Sequence, residues 1–124
     1  MANPFVHVEL NTGDVAMAKS FYRSLFDWTL EDVGIPGVPE TYTVIGVGET
    51  GTGGGIMKHP VPGAPSMWLP YVHVDDIDAA TKKARELGAK IARDVTEVPG
   101  FGWLSIIVDP TGAELGLWKA APSA

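Results

Sequence analysis

Residues 5–28 read FVHVELNTGDVAMAKSFYRSLFDW, and residues 69–89 read LPYVHVDDIDAATKKARELGA. In the first stretch Phe5, His7, Glu9 and Asn11 alternate with Val6, Val8 and Leu10, the period of two of a half-buried strand. Val6, Val8 and Leu10 are expected to pack beneath a helix and the polar set to face the other way. The triplet TGD breaks the strand, and Asp14 is placed to cap a helix whose Ala18, Phe21, Tyr22, Leu25 and Phe26 form an apolar stripe. The second stretch repeats the plan. A strand over about 68–74 leads to Asp75 or Asp76 as cap, and the helix that follows puts Ile77, Ala80, Ala84 and Leu87 on one face before Gly88 ends it. A strand followed by a capped helix, met twice at similar spacing, points to an internal duplication.

Working outward, three strands are expected after the first helix, at about 28–32, 41–47 and 53–58, separated by the turn-forming GIPGVPE and GETG. Three more follow the second helix, in AKIARDV, WLSIIV and AELGLWK, the last two joined by the turn DPTG. KHPVPGAPS, with three prolines that lack amide donors, fits neither a helix nor a central strand and reads as a linker. The expected class is α+β: one domain over 1–124 built of two βαβββ modules, the first about 4–58, a linker about 59–67, and the second about 68–119.

Composition narrows the chemistry. The 124 residues are 45% hydrophobic, enough for one compact core. No cysteine is present, so disulfides, thiolate metal sites and a cysteine nucleophile are excluded, leaving His, Asp and Glu as protein metal ligands. Fifteen acidic against nine basic residues give a formal charge of −6, which argues against a nucleic-acid partner and favours neutral or cationic ligands. No stretch approaches the ~20 apolar residues of a membrane span, and the amino terminus lacks the pattern of a secretory leader. A soluble, cytoplasmic protein without membrane contact is the expectation.

The two helix openings, GDVAMAKSFYRSLFDW and VDDIDAATKKARELGA, together with the strand GGGIM and the closing DPTGAELGLW, resemble the vicinal oxygen chelate superfamily of glyoxalase I, extradiol dioxygenases and bleomycin-resistance proteins. The resemblance covers nearly the whole chain and looks most like the small bacterial glyoxalase-like proteins. It implies paired modules whose sheets form a concave, partly open, barrel-like surface with the helices outside. It also implies a homodimer, since the family protects its sheet edges by pairing modules within or between chains. In the metalloenzymes of this family, ligands project from the first and fourth strands of the modules. His7, seven residues before Asp14, matches the first-strand ligand and is the best metal candidate here.

The other ligand positions do not match. Aligning Asp14 with Asp76 sets Leu69 opposite His7 and Asn11 opposite His73, so the shared VHV is a coincidence of register. His73 stays on the cleft face but lies about 13 Å along its strand from the ligand position, at roughly 3.3 Å per residue. The family's final carboxylate falls four residues after the turn glycine, which here is Gly116, with Glu114 two residues early. The equivalent slot in the first module falls near Gly55. With about three protein ligands needed for a stable divalent site, no metal cofactor is expected.

The expected ligand-binding cleft comprises His7, Glu9, Tyr71, His73, Glu114 and Trp118, with Trp103 a further candidate for an aromatic wall. The plain alternatives are a hydrogen-bonded histidine, ion-paired carboxylates and aromatics spent on the core. GTGGG lacks the Lys and Ser/Thr of a phosphate loop and reads as a turn entering a strand. Two functional classes follow. One is a metal-free pocket protein that buries an apolar or cationic compound. The other is an enzyme: a metal-dependent lyase, isomerase or dioxygenase with shifted ligands His7, Glu9, His73 and Glu114, or a metal-independent catalyst using His7 or Glu9 as base.

Overall fold

The structure is a computed structural model and describes residues 2–122. Its elements follow the duplicated order: β1 (Phe5–Thr12), α1 (Val15–Leu25), β2 (Thr29–Val33), β3 (Tyr42–Gly46) and β4 (Gly54–Lys58), then β5 (Met67–His73), α2 (Ile77–Glu86), β6 (Lys90–Val98), β7 (Gly102–Val108) and β8 (Glu114–Ala120). The α+β class and the two βαβββ modules are as the sequence predicts. The chain forms two compact units, His7–Leu69 on the one hand and, on the other, the residues up to Val6 together with those from Pro70 onward.

In the first unit the strand order is β2-β3-β4-β1. β4 lies between two neighbours, antiparallel to β3 and parallel to β1, with Glu9 opposite Gly55 and Leu10 opposite Ile56. Asp14 caps α1 by accepting from the Met17 amide at 3.0 Å. Beneath the helix, Leu10, Ile45 and Ile56 form a buried core, closed by Val15, Ala18, Tyr22, Trp28, Leu30 and Val47. The predicted apolar stripe of α1 divides: Ala18 and Tyr22 reach this core, whereas Phe21, Leu25 and Phe26 stay exposed. The sheet edge is tied by polar contacts. Thr43 Oγ1 donates to Asp32 at 2.7 Å and Lys19 Nζ bridges both carboxylate oxygens at 3.0 Å. These contacts, that of Thr43 first, hold the Asp32 carboxyl below its ordinary range.

The second unit has the order β5-β8-β7-β6. Asp76 is the cap of α2, accepting from the Ala79 amide. Val74, Ile77 and Leu117 are buried, with Ala80, Val95, Trp103 and Ile107 packed on them. Trp103 therefore lies on the helix side rather than in an aromatic ligand wall; its register partner is Lys119, which puts it on the face of Leu117. Leu87, expected to face inward, is 71% exposed, because α2 ends at Glu86 and the chain turns through Gly88 at φ +102°. Thr81 takes the inward place instead. Its hydroxyl returns to the Ile77 carbonyl at 2.6 Å and meets Ser105 Oγ at 2.8 Å, so a polar residue is buried without loss. The DPTG turn is closed by Asp109, whose carboxylate accepts from Thr111 and Ala113.

Candidate functional site

On the sheet face turned away from α1, β4 contributes glycine where its neighbours carry side chains. Gly55 is flanked by Glu9 on β1 and by Val44 on β3. Tyr42 lies two residues before Val44 on the same face, at the diagonal position from which an aromatic ring reaches a cross-strand neighbour. A Cβ on Gly55 would stand 1.9 Å from the Tyr42 hydroxyl oxygen, so the phenol lies directly over the glycine. The absent side chain on the central strand lets a ring from one neighbour reach a carboxylate on the other.

The result is a continuous polar chain. Tyr42 donates its hydroxyl proton to Glu9 Oε2 at 2.7 Å, and His7 Nε2 lies 2.6 Å from the same phenolic oxygen. The His7 and Tyr42 rings are nearly parallel, with an interplanar angle of 25°. The phenol's one proton goes to Glu9, so His7 presents Nε2–H to the Tyr42 oxygen. Glu9 is only 7% exposed, and no buried side-chain nitrogen or oxygen among the described residues lacks a hydrogen-bond partner. The two short hydrogen bonds give a path along which a proton can pass, and the Tyr42 hydroxyl is polarised by the Glu9 carboxyl.

Burial lowers the His7 pKa below its ordinary value, because the imidazolium loses hydration. The unfolded chain then binds a proton near the ordinary value, about 6.5, while the folded protein binds it only at lower pH. The His7 contribution to stability is full above that value and is lost as pH falls through the window down to the folded pKa. Urea unfolding should therefore show stability falling from pH 7 to pH 5, with a shallower fall in His7→Gln. An equal slope in both proteins would remove His7 as the cause.

In the second unit the expected site residues are arranged differently. Tyr71, 3% exposed, is the register partner of Gly116, where an added Cβ would stand 2.3 Å from its ring. Tyr71 and Glu9 precede their capping aspartates by the same number of residues, as Gly116 and Gly55 occupy like places on the fourth strands. Both fourth-strand slots are thus glycines with a tyrosine ring in the space of the missing side chain. His73 Nε2 contacts Asp75 Oδ1 at 3.0 Å, and its backbone is held by Asn3 and Pro4. Trp118 is the register partner of His73, and Glu114 lies exposed at the start of β8, opposite Val108. The structure therefore links His7 to Glu9 through Tyr42 and sets His73 beside Trp118. Tyr42 was missed by sequence reasoning. The available signal was Gly55 itself, a central-strand position left without a side chain beside an acidic first-strand residue.

The metal ligands implied by family resemblance do not fit these residues. The first-module slot at Gly55 has no carboxylate and its space is taken by Tyr42. His7 Nε2 is engaged by the same phenol. Among the described residues no group of three His, Asp or Glu side chains is disposed to hold an ion.

Comparison with known proteins places these features in context. Residues 5–117 match the family model described as Glyoxalase/Bleomycin resistance protein/Dioxygenase superfamily. CFP32 of Mycobacterium bovis, which carries the name of a glyoxylase, is 37% identical over 115 residues, covering 91% of this chain and 44% of its own length. The chain thus spans about half the length of this curated relative. Among solved structures, hypothetical protein BH1468 from Bacillus halodurans matches with a TM-score of 0.75 at 12% identity, covering 100% of this chain and 99% of that one. Methylmalonyl-CoA epimerase from Mycobacterium tuberculosis matches with a TM-score of 0.72 at 15% identity, covering 95% and 88%. At these identities the solved structures speak for the fold alone.

Proposed function

Since the chain belongs to the glyoxalase/bleomycin resistance protein/dioxygenase superfamily, we propose that it binds a small molecule on the β1–β4–β3 face of the first module without a divalent metal. The observation that carries this reading is the Tyr42 hydroxyl held between His7 Nε2 and Glu9 Oε2, over Gly55. A metal site recognises adjacent oxygens by Lewis acidity; here a phenol and an imidazole offer hydrogen bonds instead, with Glu9 setting the direction of the phenolic proton. With its proton given to Glu9, the phenol meets a ligand as an acceptor, so a hydroxyl or N–H donor suits such a group. The acidic surface, −6 overall, favours a ligand that is neutral or cationic elsewhere. No helix among the described residues is long and apolar enough to cross a membrane.

A second reading, metal-independent acid–base catalysis, is favoured by the same chain, because a tyrosine hydrogen-bonded to a carboxylate and an imidazole can accept or deliver a proton at a bound substrate. The two readings share a test. A fragment screen by NMR, run with a chelator present, should give chemical-shift changes centred on His7, Glu9 and Tyr42, and Tyr42→Phe should weaken the hits about tenfold, the loss of one good hydrogen bond. Hits that cluster elsewhere, or that need added metal, would sink the proposal. Turnover of a hit by wild type and not by Tyr42→Phe selects the catalytic reading.

A further inference from the structure

The register of the first module sets four residues in one row across the sheet: Glu31 on β2 opposite Val44 on β3, Val44 opposite Gly55 on β4, and Gly55 opposite Glu9 on β1. Partners in register share a face, so Glu31 lies on the side of the Tyr42 hydroxyl and away from α1. Between Glu31 and the glycine beneath that hydroxyl stands Val44, 37% exposed. At about 4.8 Å from strand to strand, Glu31 and Gly55 are roughly 10 Å apart. Glu31 is exposed and makes no hydrogen bond or ion pair among the described residues. The neighbouring cation, Lys19, is spent on Asp32, one residue on and therefore on the opposite face. The other cations between His7 and Leu69 also lie off this face: Arg23 is on α1, and Lys58, paired with Thr12, follows the parity of Ile56. A carboxylate at this place is not a requirement of the fold. The matching row of the second module is Arg93, Ile106, Gly116 and Tyr71. The branched aliphatic residue and the glycine recur, whereas both ends differ and the edge residue has the opposite charge. Protection of an edge strand asks for a charge of either sign, which leaves the sign to be used.

We propose that Glu31 selects the ligand of the first-module face: a compound with a hydroxyl or N–H donor at the Tyr42 oxygen, an apolar spacer over Val44 and an ammonium group at Glu31. This rests on the small-molecule reading and names the ligand class for that site. Each point of the row is complementary to such a compound. The phenol, its proton given to Glu9, accepts from the donor. Val44 offers an exposed apolar side chain, and covering it removes that surface from water. The Glu31 carboxylate then discriminates by sign rather than by strength: an exposed ion pair is worth up to about fivefold in affinity, and a ligand carboxylate in the same place is repelled.

Two probes of like shape test the assignment by NMR titration at low salt: 6-aminohexan-1-ol, whose extended chain spans most of the distance, and 1-heptanol, which lacks its charge. Wild type should bind the amino alcohol about fivefold more tightly, with shift changes at Glu31, Val44 and Tyr42. Glu31→Gln should bring the two affinities together, while Tyr42→Phe should weaken both probes alike. Glu31→Arg, which copies the second module, should turn the preference to 6-hydroxyhexanoate. Because Glu31 is exposed and unpaired, its variants should keep the circular dichroism of wild type. Equal affinities in wild type, or a preference for the ammonium that survives Glu31→Gln, would overturn the role of Glu31, whereas shifts at Tyr42 in the same titration would still uphold the small-molecule reading. Absence of binding by both probes at tens of millimolar would also overturn it, and the fragment screen then decides the small-molecule reading separately.

Discussion

Gly54→Ala is expected to destabilise the protein by about 4 kcal/mol, at the diagnostic end of single-residue effects. The cause is backbone rather than side chain. A Cβ at this position would stand 1.9 Å from the Val8 carbonyl oxygen and 2.9 Å from its carbon, and neither can move without parting β1 from β4. Gly54 and Val8 are register partners in the parallel pair, so the substitution strikes the ladder that holds the first-strand residues of the site. Gly13→Ala is the matched control, with no atom within 4 Å of its added Cβ, and should change stability by less than about 0.5 kcal/mol. Urea unfolding of the two variants checks the contrast. Near-equal stabilities would show that β1 and β4 are not paired in this register.

Gly55→Ala, one residue on, should cost about 3 kcal/mol for a different reason. Its added Cβ meets the Tyr42 hydroxyl, Cζ and Cε2 within 2.3 Å, so the ring must leave. With it go the hydrogen bonds to His7 and Glu9, the latter a charged-group bond of a kind worth roughly 1.5–3 kcal/mol. Because the obstacle is a side chain, the effect should depend on that side chain. In a Tyr42→Ala background Gly55→Ala should cost about 1 kcal/mol or less, giving a coupling energy of about 2 kcal/mol in a double-mutant cycle. Gly54→Ala should keep its full cost in the same background. Additive effects at Gly55 and Tyr42 would mean that the phenol does not lie over the glycine.

These two adjacent glycines also show what the sequence could and could not disclose. The modules, their order and the Asp14 cap were readable because each rests on local signals, alternation in FVHVELN and the turn residues between strands among them, whereas the second cap was narrowed only to Asp75 or Asp76, of which the structure uses Asp76. Single residues at helix ends were less secure. Leu87 keeps the helical spacing yet lies past the last turn, and Phe21 and Leu25 continue an apolar stripe that the core does not fill. The candidate site was legible only in part. His7 and Glu9 follow from the period of β1, and the lack of a carboxylate at Gly55 and Gly116 follows from counting. Tyr42 does not, because its role depends on β4 lying between β3 and β1 and on a diagonal reach across a glycine, neither of which is written in spacing along the chain. Trp103 was left open between ligand wall and core for a similar reason: its face is set by pairing with Lys119, not by its aromatic character.

Tyr42 joins His7 to Glu9, and zinc added to the protein tests whether that bridge stands in place of a metal ion. The most direct measurement is the ¹⁵N spectrum of the His7 imidazole while zinc is titrated into protein purified with a chelator. Expected is the neutral Nε2–H tautomer at pH 7, its proton shifted by the Tyr42 hydrogen bond and altered in Tyr42→Phe, with no change up to one equivalent of zinc. Loss of the Nε2 proton and a metal-bound nitrogen shift at one equivalent, with a matching rise in thermal stability, would contradict it.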